Sequence, residues 1–436
     1  MAFYLRGVHL PHRKHTAGTK PVRMDNPKTI TIPVSMHIGK PAIPTVKVGD
    51  EVKVGTLIAK QDGFISSPVY ASISGTVTKI SDILLSNGSY CPAISIESDG
   101  LMTPDEKIAP PSVSSKDELV EAIKNSGVVG LGGAGFPTYV KFTVDPSKIE
   151  ELVINGAECE PYITSDSNTM ENQYEDIAYG IEIIKKYFGI KKVIIGIESN
   201  KKAAIASMKE LALKDNDIIV KTLPAVYPQG GEKVLVYHTT GKVIPPGKRP
   251  ADVGCIVCNC TTVAAIGNYV KTGMPLVKKC VTVDGKAVKE PKNVIVPIGT
   301  SIADIVEFCG GLNCEPEKVL YGGPMMGISV PDMSAPILKN TNAILLFDKK
   351  EAAIPKTTAC IRCGSCLNTC PFGINPAGIA RALEKNDTDT MEALGANLCM
   401  ECGCCSYVCP ANIPLVQKNK LAKLAIKEAK AKEESK

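Results

Sequence analysis

The chain has 436 residues, more than one hydrophobic core usually serves, so about three domains are expected. Its 44% apolar and 22% charged content is ordinary for a soluble globular protein, and no apolar stretch approaches the roughly 18 residues of a membrane span. A net charge of +5 with only 5% aromatic residues argues against nucleic-acid binding, and 17 cysteines in a long chain without a signal peptide point to thiols kept reduced in a cytosol.

Residues 1 to about 35 are basic and irregular, with His9, His12, Arg13, Lys14 and His15 close together. A solvated extended arm is expected, with a metal site as the alternative. From Pro44 to Ile58, and again from Ser72 to Ile80, apolar and polar residues alternate around glycine turns, which predicts short strands. The rhythm resembles the barrel-sandwich domains of lipoyl and biotinyl carriers. The tip reads Lys60-Gln-Asp-Gly-Phe64 and lacks the carrier's Met-Lys or Asp-Lys, so a structural N-terminal domain over 1–105 is expected, followed by a Pro- and Ser-rich linker over 101–116.

The stretch Ser126 to Phe142 contains Gly130-x-Gly132-x-x-Gly135, a pattern that lets backbone amides approach a phosphate at a helix N-terminus. By itself it competes with a plain glycine-rich turn. Short β-branched runs (Glu151 to Asn155, Lys192 to Gly196) alternate with helical periodicity (Glu175 to Phe188, Lys201 to Lys214), which predicts an α/β domain with a largely parallel sheet over 117–270. Cys255, Cys258 and Cys260 raise a minor metal alternative.

Residues 276–312 read as hairpin, strand and short helix, within an expected domain over 271–330, and Tyr321 to Gly327 forms a tight loop after it. Two cysteine runs follow, Cys360-x2-Cys363-x2-Cys366-x3-Cys370-Pro371 and Cys399-x2-Cys402-x2-Cys405-x3-Cys409-Pro410. This is the spacing of bacterial two-cluster ferredoxins, in which the fourth cysteine ligates the other cluster. One [4Fe–4S] cluster is therefore assigned to Cys360, Cys363, Cys366 and Cys409, the other to Cys399, Cys402, Cys405 and Cys370. Zinc, the alternative for paired C-x2-C motifs, takes four ligands and fits two identical quartets poorly. Cys404 falls outside the pattern. A ferredoxin-type domain over 350–415 and a basic helical tail over 416–436 complete the chain; the tail is expected to be solvated and fraying, with docking to a partner or anionic lipid as the alternative.

The glycine stretch, extended to Gly-Gly-Ala-Gly-Phe136-Pro-Thr-x-x-Lys141, resembles the flavin loop of the NADH-oxidising subunit of respiratory complex I. Three further segments follow in that family's order. Asn155-Gly-Ala-Glu158-Cys-Glu160-Pro161 resembles its Asn-Ala-Asp-Glu-x-Glu-Pro, Tyr227-Pro-Gln-Gly230-Gly231-Glu232 its Tyr-x-x-Gly-Glu-Glu, and Cys258-Asn259-Cys-Thr-Thr262 its Asn-Asn-Val-Glu-Thr. The resemblance implies an FMN and NAD(H) site built from Gly130, Gly132, Gly133, Gly135, Phe136, Lys141, Phe142, Asn155, Glu158, Glu160, Tyr227, Gly230, Glu232, Asn259 and Thr262. Glycine amides and Lys141 are expected at the flavin phosphate, and Asn155 and Asn259 at the isoalloxazine edge or ribityl chain. Glu158, Glu160 and Glu232 are expected at ribose hydroxyls, with Phe136 or Phe142 stacking on nicotinamide or adenine. The chain departs from the family at Leu131 (arginine there), Cys258 (asparagine) and Gly231 (glutamate).

The order of barrel-sandwich, flavin domain, soluble-ligand-binding β-grasp (SLBB) and two-cluster module resembles the C subunits of Rnf (Rsx) membrane complexes. The fold class is thus a multidomain α+β chain: a β barrel-sandwich hybrid, an α/β Rossmann-like flavin/NADH domain, a β-grasp domain and an α-helical two-[4Fe–4S] ferredoxin-like domain. The resemblance implies ferredoxin:NAD oxidoreductase activity coupled to Na⁺ or H⁺ translocation. Direct hydride exchange between NAD(H) and FMN needs no catalytic acid or base, and the two clusters carry single electrons. It implies as partners the ferredoxin-like B subunit and the integral membrane subunits A, D, E and G, no nucleic acid, and a peripheral place on the cytoplasmic face of the cell membrane. A soluble flavin/iron–sulfur reductase of a corrinoid or other acceptor, and a non-catalytic electron-wiring subunit, are the alternatives.

Overall fold

The computed structural model describes residues 6–24 and 26–434, so expectations for residues 1–5 and 435–436 lie outside the described residues. The N-terminal alternation folds as read. Four antiparallel strands, in the order Thr29–Pro33, Tyr90–Ser98, Gly75–Leu84, Glu51–Val52, face a second sheet of Ile43–Pro44, Leu57–Lys60 and Val69–Tyr70. Their inward residues, among them Ile30, Ile32, Ile58, Val77, Ile94 and Ile96, form one core. Each such side chain contributes about 1.5–3 kcal/mol by leaving water.

The central domain is built on four parallel strands in the order Ile218–Leu223, Val193–Glu198, Glu151–Gly156, Cys255–Asn259. Every residue of Val193–Glu198 is buried, as a parallel sheet covered on both faces requires. Helix Tyr174–Phe188 places Ile177, Ile181, Ile184 and Phe188 on one face and ends at Gly189 in the left-handed conformation. It crosses helix Cys260–Thr272 at two glycines: a Cβ on Gly180 would lie 2.4 Å from the Val263 carbonyl oxygen, and one on Gly267 2.2 Å from that of Asp176. Cys255 enters one core and Cys258 and Cys260 the other, so these three thiols do not converge.

The third sheet takes strands from well beyond its own hairpin. Its order is Val22–Arg23, Lys292–Pro297, Lys278–Asp284, Ala343–Phe347, Lys318–Tyr321, Ile328–Ser329. The edge strand Val22–Arg23 belongs to the arm, which is a strap rather than a solvated tail. Val8 and Tyr227 exchange backbone hydrogen bonds at 2.8 and 3.0 Å. The Lys14 ammonium donates to the carbonyls of Glu158 and Glu160, both at 3.0 Å, and to that of Ile163. The histidines do not converge: His15 meets Asp284 at 3.0 Å, His12 lies beside Asn200, and His9 is exposed. Lys14→Met would leave three carbonyls without this donor. An unsatisfied buried polar group costs about 1–3 kcal/mol, so thermal melting is expected to begin a few degrees lower; unchanged melting would show that the strap is not held there.

The tail also packs. Helix Leu415–Glu434 buries Leu415, Ala422 and Ile426, the last two in a core with Ile379, Ala382 and Met391, and pairs Lys418 with Glu384 and Lys430 with Glu392. Its apolar positions looked sparse because half of its buried face lies against the cysteine loops.

Candidate functional site

Strand Glu151–Gly156 continues on one side into Val193–Glu198 and Ile218–Leu223, and the chain then crosses to the other side for Cys255–Asn259. The sheet order therefore reverses between Glu151–Gly156 and Cys255–Asn259, and open α/β sheets bind ligands outside the strand ends at such a switch point. Asn155 and Asn259 are register partners at those two ends. Asn259 also caps helix Cys260–Thr272, its Oδ1 accepting from the amides of Thr261 (2.9 Å) and Thr262 (3.2 Å). Its Nδ2 donates to Asp166 at 2.7 Å. Asn155 donates to the Gly230 carbonyl at 2.9 Å and accepts from the Ala157 amide.

The glycine loop lies over this crevice and is tied down from two other domains and from its own. Ile38 of the barrel donates its amide to Gly135 O at 3.1 Å, Asn340 its Nδ2 to Gly133 O at 3.0 Å, and Lys279 its ammonium to Leu131 O at 2.6 Å. The Leu131 amide donates to Thr262 Oγ1 at 3.0 Å. Gly132 and Gly133 remain exposed, a Cβ on Gly133 would meet nothing within 4 Å, and one on Gly132 would lie 2.4 Å from Asn259 Nδ2. Lys141 reaches over the sheet end to Glu232 (3.0 Å) and the Val257 carbonyl (2.9 Å). An exposed glycine loop with a lysine and two asparagines at its rim fits an FMN phosphate and ring.

Several implied ligand residues have other work. Phe142 is wholly buried and packs edge-on against Phe188 at 5.3 Å, so it cannot stack on a nucleotide. Phe136 is half-buried against the same core. Thr262 is buried and braces the glycine loop from beneath. Glu158 is buried and caps helix Ser165–Asn172, accepting from the Asp166 amide at 2.7 Å and from Ser167 Oγ at 3.0 Å. This is a carboxylate at a helix N-terminus, spent on structure rather than ribose. Glu160 clamps the Tyr321 to Gly327 loop by accepting the amides of Met325 (3.0 Å) and Met326 (2.8 Å). Tyr227 turns away and donates its hydroxyl to the Cys402 carbonyl at 2.7 Å. Asp166 was missed: no motif marks it, and its partners Asn259 and Thr261 lie more than 90 residues away.

Burial pushes the Glu160 carboxyl up to about 7, against the two amides that favour its charge. A carboxyl raised in the folded state contributes stability that is full below its ordinary pKa and is lost as pH rises through about 7. Wild-type protein is therefore expected to lose melting temperature between about pH 5.5 and pH 7.5, and Glu160→Gln to lose less over that interval. Parallel profiles would remove Glu160 as the cause.

The cysteine runs fold as two copies of one motif. Arg362 and Glu401 take equivalent left-handed positions (φ 58° and 64°), as do Gly364 and Gly403 (φ 78° and 80°), each glycine opening a one-turn helix, Ser365–Asn368 or Cys404–Tyr407. Alternating left- and right-handed residues turn successive amides to one side, the nest geometry that suits iron–sulfur sites. One such amide, that of Glu401, lies 3.4 Å from Cys399 Sγ. Cys399, Cys402, Cys405 and Cys370 line one cavity, together with Cys404. Cys366 and Cys409 pack side by side against Leu415 and Val416, while Cys360 and Cys363 are exposed. The donor chemistry fits [4Fe–4S] clusters. Cys404 points to the Tyr227 carbonyl, and Met400 presses on Gly231, where a Cβ would lie 2.4 Å from its methyl. The family's glutamate at Gly231 would need the Met400 side chain to move aside.

Residues 3–101 match the family described as RnfC barrel sandwich hybrid domain, 123–268 the Nuo51 FMN-binding domain, 280–329 the SLBB domain and 356–413 the 4Fe-4S dicluster domain. These define a flavin and iron–sulfur electron-transfer protein whose cofactors are FMN and two [4Fe–4S] clusters. The chain is 43% identical to the C subunit of the proton-translocating ferredoxin:NAD(+) oxidoreductase complex of Clostridium ljungdahlii, over 85% of this chain and 82% of that one. It is 39% identical to the C subunit of the Na(+)-translocating ferredoxin:NAD(+) oxidoreductase complex of Acetobacterium woodii (89% of each chain). It is 38% identical to the C subunit of the ion-translocating oxidoreductase complex of Rhodobacter capsulatus (99% and 85%). The chain belongs to this family of C subunits of ion-translocating oxidoreductase complexes. An NAD+-reducing [NiFe]-hydrogenase structure shares the fold at a TM-score of 0.50, with 18% identity over 72% of this chain and 61% of that one.

Proposed function

We propose that this chain is the NADH/FMN/iron–sulfur subunit of a membrane-bound ferredoxin:NAD oxidoreductase coupled to Na⁺ or H⁺ translocation. Bound FMN supplies the conversion between a hydride and single electrons, which the clusters carry one at a time. The observation that carries the reading is the join between the two sites within one chain. Tyr227 and Gly231, from the element that begins helix Glu232–Thr240, lie against Cys402 and Met400 of a cluster loop. Lys141, Glu232, Asn155, Asn259 and the Gly130–Gly135 loop would hold FMN, with Phe136 at its edge and NAD(H) in the same crevice. Cys399, Cys402, Cys405 and Cys370 would hold the cluster on the flavin side; Cys360, Cys363, Cys366 and Cys409 would hold the outer one.

Among the described residues no helix is long and apolar enough to cross a membrane. The reading places the chain peripherally, on the cytoplasmic face, against the ferredoxin-like B subunit and the membrane subunits A, D, E and G. The exposed face with Cys360, Ile361 and Cys363 would be turned toward them. An anaerobic NADH titration of the reconstituted chain, followed by absorbance and low-temperature EPR, tests the reading. Flavin bleaching with a cluster signal appearing is expected. Full clusters with no response to NADH would favour a wiring subunit instead.

A further inference from the structure

The tail helix carries one buried polar side chain that the fold itself does not use. Asn419 is wholly buried and lines the same cavity as Cys370, Cys399, Cys402 and Cys405. Its Nδ2 lies 3.7 Å from Cys399 Sγ, and its Oδ1 has no hydrogen-bond partner. An unsatisfied buried carbonyl costs about 1–3 kcal/mol, and an apolar residue on this face beside Leu415, Val416 and Ala422 would avoid that cost. The end turned toward Cys399 is the N–H end, the one that interacts favourably with a thiolate. The same stretch clamps the Cys399 loop from outside: Lys423 donates to the Cys399 carbonyl at 3.3 Å and pairs with Glu401, which Lys420 also approaches at 3.8 Å.

We propose that Asn419 tunes the reduction potential of the cluster held by Cys399, Cys402, Cys405 and Cys370, raising it by an N–H···S hydrogen bond to Cys399. Reduction adds negative charge to a cluster and its sulfurs, so a donor aimed at a ligand sulfur stabilises the reduced form more than the oxidised one. The two cysteine runs have identical spacing and matching left-handed residues, so their ligand sets alone would make similar clusters. Cys399 receives both the Glu401 amide and Asn419, whereas its counterpart Cys360 is exposed. Asn419 is a positioning residue that makes the two sites unequal.

The proposal rests on the crossed ligand assignment, and iron and sulfide analysis of each variant separates failure of that assignment from failure of the tuning. In an EPR-monitored redox titration of the full reconstituted chain, Asn419→Leu is expected to move one cluster to a more negative potential and leave the other in place. Asn419→Asp should move it further the same way, and Asn419→Gln, which keeps an N–H, should recover most of the wild-type value. Wild-type potentials in a fully loaded Asn419→Leu chain would overturn the proposal. Independently of any variant, pulsed EPR of wild-type protein labelled with side-chain ¹⁵N-asparagine should show a nitrogen coupling at one cluster. Its absence would overturn the proposal even if the leucine variant fails to assemble.

Discussion

Cys370→Ala is expected to abolish the cluster built on the other cysteine run and to leave the cluster of its own run intact. Cys370 shares a cavity with Cys399, Cys402 and Cys405, while Cys366 lies beside Cys409. The pairing follows from the fold: the proline after each fourth cysteine ends its short helix and turns the chain back, which carries that cysteine across to the other loop. Iron content should fall to about half in Cys370→Ala and in Cys409→Ala alike, so iron alone does not identify the partner run. The comparison that does is spectroscopic. The cluster left in Cys370→Ala should have the EPR signature left by Cys399→Ala, and the cluster left in Cys409→Ala that left by Cys360→Ala. If Cys370→Ala instead matches Cys360→Ala, each run holds its own cluster and the crossed assignment is wrong. NADH-dependent bleaching of flavin should survive in all four variants, since the Gly130–Gly135 loop, Asn155 and Asn259 are untouched.

What could be read from sequence were features whose meaning is local. Alternating apolar residues gave the barrel, buried β-branched runs gave the parallel sheet, and cysteine spacing gave the candidate ligand sets, because each is a repeat within one segment. The asparagines at the strand ends were legible for the same reason. The arm and the tail were misjudged because their bonds go to loops far along the chain. Val8 pairs with Tyr227, Lys14 with carbonyls near residue 160, and Asn419 faces Cys399, none with a period to detect. Glu158 and Glu160 illustrate a different limit. Their place in the motif was seen, but a carboxylate beside a nucleotide site and one capping a helix or clamping a loop read alike in sequence. Only the amides of Asp166, Met325 and Met326 around them decide which job they do.

Gly132→Ala is expected to lower FMN retention by roughly 30- to 1000-fold, the equivalent of about 2–4 kcal/mol, while both clusters stay loaded. The added methyl would lie 2.4 Å from Asn259 Nδ2 and 2.8 Å from its Cγ, far inside contact distance. Asn259 cannot swing aside cheaply. Moving it gives up the helix cap, about 1 kcal/mol, and the hydrogen bond to the Asp166 carboxyl, about 1.5–3 kcal/mol if that group is charged. The loop cannot lift away instead without losing the bonds of Leu131 to Thr262 and Lys279. Either response moves a group that would face the flavin. A double-mutant cycle isolates the cause. In an Asn259→Ala background only the 3.3 Å contact with Cβ remains, so adding Gly132→Ala should cost little more FMN than Asn259→Ala alone. Fully additive losses would show that the glycine acts through something other than Asn259. Wild-type FMN content in Gly132→Ala would mean that this crevice is not where the flavin sits.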